Sequence, residues 1–238
     1  MTDKPVNTIG VRAGLSWRRV LLLGTAAAVA AFWFGMAGGQ QPTAARSFTP
    51  ERIAHFEAAG WRAYYDRNWL RVLGLMVQLN REQFGMSWPV AGLAALDVVR
   101  ASLAFAPVDN DIPAATDHLA RYYTRARESG AISGEPARLA ELEMDYWVVH
   151  RRLANERKAA PDHAGDLTPM VDALAALHAA LFDASPDVAH RSAEIRAQAA
   201  ARVDRITGGY SDDAEADWKH IQVELDQAYQ ILKRLGSQ

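Results

Sequence analysis

The pattern of apolar and polar positions separates one long uncharged stretch near the start of the chain from a series of amphipathic segments. Residues 20–39 contain no charged side chain and are almost entirely apolar. A helix needs about 20 such residues to cross the hydrocarbon core of a bilayer. The stretch is preceded by Lys4, Arg12, Arg18 and Arg19 and is followed by nearly balanced charge. Because positive charge stays in the cytoplasm, we predict a single-pass membrane helix whose N-terminal flank, residues 1–19, is cytoplasmic.

Other interpretations of residues 20–39 are open at this stage. A cleaved signal peptide also combines basic residues, an apolar core and small residues, here Ala37–Gly39, but its core usually has about 7–15 residues. A twin-arginine signal and a buried helix of a soluble protein are further alternatives. We therefore predict a transmembrane anchor or uncleaved signal over 20–39, a linker over 40–48 and an extracytoplasmic helical domain over 49–238.

The segments after the linker carry repeated helix start signals. These signals are Thr49-Pro50, Ser87-Trp88-Pro89, Asp111-Ile112-Pro113, Thr168-Pro169, Ser185-Pro186 and the pair Asp212 and Glu215. A capping side chain followed by proline in the first turn, or by an acid three residues on, is typical of a helix N-terminus. No segment alternates in the manner of a strand. The sequence predicts an all-α, multi-helix bundle domain preceded by one N-terminal transmembrane helix.

Two helical segments need separate treatment. The apolar stripe changes face between residues 50 and 84, which predicts a break near 65–68 with Asp66 as a new cap. Residues 89–106 are apolar almost all round and carry only Asp97 and Arg100 as charges. Since charges within a span cost about 3 kcal/mol each on insertion scales, we predict a central, buried bundle helix there rather than a second membrane helix.

Composition removes several classes of function. The net charge of −2 gives no electrostatic basis for nucleic-acid binding. The absence of cysteine excludes disulfides, thiolate catalysis and cysteine-based metal sites. We find no phosphate loop, dinucleotide fingerprint or nucleophile elbow, so the sequence predicts no cofactor and favours a protein that is not an enzyme.

Helical phase places a set of polar residues on inward or edge positions of several helices. The set consists of Glu57, Tyr64, Asp97, Arg100, Glu143, His150 and His178. The favoured interpretation is a buried network in which Arg100 neutralises the acids, because buried charges must be paired. Glu57, Glu143, His150 and His178 are also candidate metal ligands, although the Glu-x-x-His pairing of di-iron bundles is missing. An organic-ligand or catalytic pocket is the third interpretation.

These observations predict a membrane-anchored accessory or interaction protein, held to the membrane through residues 20–39 beside an envelope protein partner. The alternative is a helical metal- or ligand-binding protein or enzyme that uses Glu57, Arg100, Glu143 and His150. A sealed and fully paired cluster favours the first function. An open cavity with an unpaired His178 favours the second.

Overall fold

The computed structural model of the protein describes residues 48–159 and 165–234, and within them all regular structure is helical. The helices are α1 (Pro50–Tyr65), α2 (Trp69–Phe84), α3 (Trp88–Phe105), α4 (Ile112–Glu128), α5 (Pro136–Ala159), α6 (Thr168–Phe182), α7 (Pro186–Gly208) and α8 (Ala214–Arg234). The all-α prediction is confirmed. Helices α1–α8 all belong to one compact unit. The predicted membrane helix over 20–39 lies outside the described residues.

The predicted break between the first two helices is confirmed, but its capping residue differs. The chain turns at Arg67, which adopts a left-handed φ of 57°. Asn68 caps α2 by accepting a hydrogen bond from the Arg71 amide at 3.2 Å, whereas Asp66 follows the last turn of α1. The cap of α8 is likewise shifted by one residue, since Asp213 accepts from the Ala216 amide at 3.0 Å. Sequence spacing thus located both helix starts to within two residues.

The eight helices form a closed ring. Each helix packs against its neighbours in the chain, and α8 returns to pack against α1. Connections of three to eight residues favour this neighbour-to-neighbour packing. Arg62 near the end of α1 bonds Glu215 near the start of α8 at 3.0 Å, and Gln230 near the end of α8 bonds Glu51 near the start of α1 at 2.7 Å. Helices α1 and α8 are therefore antiparallel.

The apolar core is distributed around this ring. Three clusters of buried side chains join, respectively, α2–α6, α1 with α2, α7 and α8, and α5–α7. Alanines supply much of the contact surface, for example Ala91, Ala94 and Ala101 on α3. Small side chains allow adjacent helices to approach closely, and no cluster joins all eight. The centre of the ring is therefore not filled by the core.

Helix α3 differs from the prediction made for it. One face, which includes Ala94 and Asp97, is buried against the neighbouring helices, but Leu93 and Leu96 are exposed on the other. It is thus a wall of the ring with one packed face, not a central helix buried all round. Within the part of the chain that the structure describes, α3 is also the one helix long and apolar enough to cross a membrane. Because core helices of soluble proteins have the same length and composition, this is weak support for a span.

Candidate functional site: a central cavity

The ring encloses a cavity of about 530 Å³ to which all eight helices contribute side chains. Ligand-binding cavities in proteins are commonly about 300–1,000 Å³. Aromatic side chains dominate its wall, among them Trp61, Tyr64, Tyr122, Tyr123, Tyr146 and Trp147. Such rings provide a large apolar contact area together with a few polar atoms. The cavity is therefore large enough and apolar enough to hold a small organic molecule.

One end of the cavity opens to solvent. The exposed lining residues come from the end of α1, the start of α2 and the C-terminal parts of α3, α5 and α7, and include Tyr65, Trp69, Leu103, Asn155 and Thr207. Towards the other end the lining consists of buried side chains such as Leu79, Phe84, Leu119 and Leu177. The cavity therefore has an exposed end and a more deeply buried region.

Arg151 on α5 lies near the exposed end of the cavity. The Arg151 guanidinium lies 3.6 Å from the centre of the Phe105 ring and donates a hydrogen bond to the Pro107 carbonyl oxygen at 3.1 Å. Partial burial lowers the pKa of Arg151. The guanidinium therefore lies against the end of α3, where it already contacts the Phe105 ring and the Pro107 carbonyl oxygen.

Glu57 forms a largely buried ion pair in the cavity wall with Arg196 of α7. Arg196 Nη1 donates to Glu57 Oε2 at 3.0 Å and to the Tyr229 hydroxyl at 2.8 Å, and that hydroxyl donates to Glu57 at 2.6 Å. The Glu57 and Arg196 side chains are 9% and 12% exposed, so solvent screens the pair little. Three helices, α1, α7 and α8, are tied together by this cluster.

Arg196 was missed in the sequence, although a signal for it exists. Ser192, Ala199 and Val203 form the buried stripe of α7, and Arg196 lies four residues after the first and three before the second. This spacing places it on the same face. An arginine on a predicted inward stripe requires an inward acid, and Glu57 on α1 provides it.

Glu143 of α5 is held by neutral donors. The Tyr123 hydroxyl donates to one carboxylate oxygen and the Trp147 indole N–H to the other, each at 2.8 Å. No cation of the described residues lies within ion-pair distance of it. Burial raises the pKa of Glu143, opposed by the charge of Arg196 and by these two hydrogen bonds. Among the described residues, no arginine or lysine therefore pairs directly with this carboxyl group.

A third carboxylate, Asp204 of α7, lies nearer the exposed end. It accepts hydrogen bonds from His150 Nε2 at 3.0 Å and from Arg157, which is itself buried. The His150 ring stacks on Tyr146 with a centroid separation of 5.6 Å. Asp204 is thus a paired acid, and His150 is oriented by it.

His178 of α6 is a cavity-lining polar side chain with an unpartnered ring nitrogen in the described part of the chain. It is 2% exposed, it lines the cavity, and its Nδ1 atom has no hydrogen bond within the described residues. Burial, together with the positive charge of Arg196, lowers the pKa of His178 to about 3. The imidazole is therefore neutral at physiological pH and retains hydrogen-bonding capacity that the protein does not use.

The structure brings together five of the seven predicted polar residues, since Glu57, Tyr64, Glu143, His150 and His178 all line the cavity. Asp97 and Arg100 lie elsewhere. Asp97 is buried on the α3–α4 side, where Arg125 donates to it at 2.8 Å.

The sequence left Glu57, Asp97 and Glu143 open as partners of Arg100, and in the structure it lies near Asp97 and not near the two glutamates. The Arg100 side chain is 59% exposed and its nearest acid is Asp97, at 3.9 Å. Arg196 takes the role that the sequence assigned to Arg100, because it is the arginine that lies on an inward stripe.

The candidate metal ligands do not form a metal centre. Within residues 48–159 and 165–234, no group of three or more histidine, aspartate or glutamate side chains is close enough to hold an ion. Glu57 and Glu143 already accept hydrogen bonds from other side chains, as given above. The cavity is therefore suited to an organic molecule better than to a metal ion.

Comparison of this chain with models of known protein families, with curated proteins and with solved structures gave no match. The class of protein is consequently given by the fold and the site alone. It is a closed ring of helices around an aromatic cavity with a small number of polar groups.

Proposed function

We propose that the protein is a membrane-tethered binding protein that takes up a small organic molecule in its central cavity. The observation that carries this proposal is His178, a buried and neutral imidazole in the cavity lining whose Nδ1 atom has no hydrogen-bond partner among the described residues. A buried polar atom left unsatisfied costs about 1–3 kcal/mol. A ligand that bonds this imidazole would remove that cost, and the aromatic wall would supply most of the contact area.

Binding is favoured over catalysis by the arrangement of the polar groups. Among the described residues that line the cavity, neither Ser102 nor Thr207 bonds a histidine, so no serine or threonine hydroxyl stands beside a histidine base. The carboxylates are held by arginines or by neutral donors, which fixes their geometry. We therefore specify the accessory role expected from the sequence as the binding of a ligand.

The cavity can be blocked from a position that leaves the helix intact. Gly60 of α1 lines the cavity, and a Cβ atom added to it meets no atom within 4 Å. We expect Gly60→Leu to fill part of the cavity, and to strengthen the helix by up to about 1 kcal/mol because glycine is a poor helix former. Gly74→Leu is the matched control, since Gly74 is an exposed helical glycine with equal space around it.

The test is a screen of small organic molecules against the full-length protein by ligand-observed NMR. We expect compounds to bind the unaltered protein and Gly74→Leu but not Gly60→Leu. Failure of every compound to bind, or binding that Gly60→Leu leaves unchanged, would contradict the proposal.

The tether is supported by the uncharged stretch of residues 20–39 and its basic flank. Because the chain contains no cysteine, single cysteines report topology cleanly. We expect Lys219→Cys in intact cells to react with a membrane-impermeant maleimide, and Thr2→Cys to react only after lysis. The reverse pattern would contradict the orientation, and release of the domain from membranes by salt alone would contradict the anchor.

A further inference from the structure

We infer that the ligand carries a positively charged amino or ammonium group and that Glu143 is the counter-ion which binds it. The inference rests on the proposed function and specifies the chemistry of the bound molecule. It depends on the charges of the cavity, on the aromatic rings beside Glu143 and on the state of the cavity arginines.

The charges of the cavity leave one carboxylate unmatched. Three carboxylates line it, those of Glu57, Glu143 and Asp204. Glu57 is paired with Arg196 and Asp204 with Arg157, each a contact between largely buried groups. Glu143 receives only the Tyr123 hydroxyl and the Trp147 indole. A buried charge is stable when it is paired, so Glu143 is the position at which a cation from outside the chain gains most.

The surroundings of Glu143 are those that recognise organic cations. The two donors that orient its carboxylate are aromatic, and Tyr146 and Tyr122 line the cavity next to them in the chain. The face of an aromatic ring attracts ammonium groups, and cages of such rings bind quaternary ammonium and methylated amines. A carboxylate held between a tyrosine and a tryptophan combines a full charge with this attraction.

An anionic ligand finds no free cation in the described part of the cavity. Arg196 is bonded to Glu57 and Tyr229, and Arg151 is placed over Phe105 and bonded to a carbonyl oxygen. A metal cation is disfavoured because no three oxygen or nitrogen ligands converge. An organic cation requires only one carboxylate and apolar walls, and both are present.

The experiment compares three benzylic probes of different charge on the full-length protein: benzyltrimethylammonium, benzyl alcohol and phenylacetate. Dissociation constants are measured by ligand-observed NMR titration for the unaltered protein, Glu143→Gln and Glu141→Gln. Glu141 is the matched control, because it lies on the same helix with its side chain 58% exposed. The glutamine at 143 retains an acceptor for Trp147 and a similar volume.

We expect only the ammonium probe to bind, with affinity reduced by roughly tenfold or more in Glu143→Gln and unchanged in Glu141→Gln. Equal binding of the three probes, preferential binding of phenylacetate, or full ammonium affinity in Glu143→Gln would overturn the inference. The probe comparison on the unaltered protein decides the question even if Glu143→Gln does not fold. If screened compounds bind in a Gly60→Leu-sensitive manner while the ammonium probe does not, the inference fails and the proposed function stands.

Discussion

Two glutamates of the same cavity are stabilised in different ways. Glu57 on α1 is paired with the Arg196 guanidinium, whereas Glu143 on α5 accepts two hydrogen bonds from neutral aromatic side chains. Of the two carboxylates, Glu57 has a full opposite charge within hydrogen-bonding distance, and Glu143 has none among the described residues. The comparison separates a group whose environment is complete within the protein from one that a ligand can complete.

The largest expected effect comes from removing the cation at the complete site. Arg196→Met strands the Glu57 carboxylate in a buried position, and we expect a loss of about 3–5 kcal/mol in the free energy of unfolding. Chemical denaturation of the full-length protein measures it. Arg191→Met, an exposed change on the same helix, is the control. If Glu57→Gln in the same chain restores none of the loss, the stranded charge is not its cause.

His178 provides the next largest effect, through pH. Its folded pKa of about 3 lies below the ordinary value of 6.5, so the folded state favours the neutral ring. The resulting stability is fully present above pH 6.5 and is lost as pH falls towards 3. We expect a loss of roughly 2 kcal/mol between pH 6.5 and pH 5. The free energy of unfolding should change less with pH across this range for His178→Gln than for the unaltered protein. The exposed change His190→Gln is the control. Equal slopes would show that His178 does not titrate as a buried group.

At Glu143 the pH dependence of stability should have the opposite sign to that at His178. Because the pKa of Glu143 is raised by burial, the folded state favours its protonated form, and the corresponding stability is lost as pH rises through the folded pKa. We expect Glu143→Gln to stabilise the ligand-free protein at neutral pH by about 1 kcal/mol or less, and this gain to vanish near pH 4. Thermal unfolding at pH 4 and pH 8 checks it. A strong loss at pH 8 would place Glu143 with Glu57 as a structural group.

The smallest effect is expected outside the cavity. His190 and Glu194 form a pair at 3.8 Å with both side chains about half exposed. Exposed pairs contribute about 0–1 kcal/mol, so His190→Ala should change the free energy of unfolding by less than about 0.5 kcal/mol. The measurement uses the same denaturing conditions as for Arg196→Met. A larger change would mean that this exposed pair contributes more to stability than exposed pairs ordinarily do.

Helical phase predicted which side chains point inward, but it could not predict which helix supplies the partner of each one. Glu57, Glu143 and His178 were located because each lies on an apolar stripe of its own helix. The partner of Glu57 is 139 residues away in the chain, and only the ring geometry brings Arg196 to it. Arg100 was misplaced because α3 is apolar on both faces, so its pattern does not distinguish the packed face from the exposed one.

The cavity itself has no signature in the pattern. A stripe of Tyr, Trp and Leu at helical spacing is the same whether it meets other side chains or an open space. Whether the centre is filled or open depends on how many helices form the ring and on how closely they approach at small residues such as Ala94, Ala101 and Ala115. Contacts between helices determine both. The fold class was therefore predictable from local periodicity, while the site required the complete arrangement.

The closing contact between α8 and α1 makes the order of the helices around the ring independent of where the polypeptide starts. The beginning of α1 and the end of α8 are adjacent, as the bond between Glu51 and Gln230 shows. A short linker from residue 234 to residue 50, with new termini in the exposed turn at Gly130, would give a circular permutant in which each helix retains both neighbours. Such a permutant would begin with α5 instead of α1 while leaving the central cavity intact.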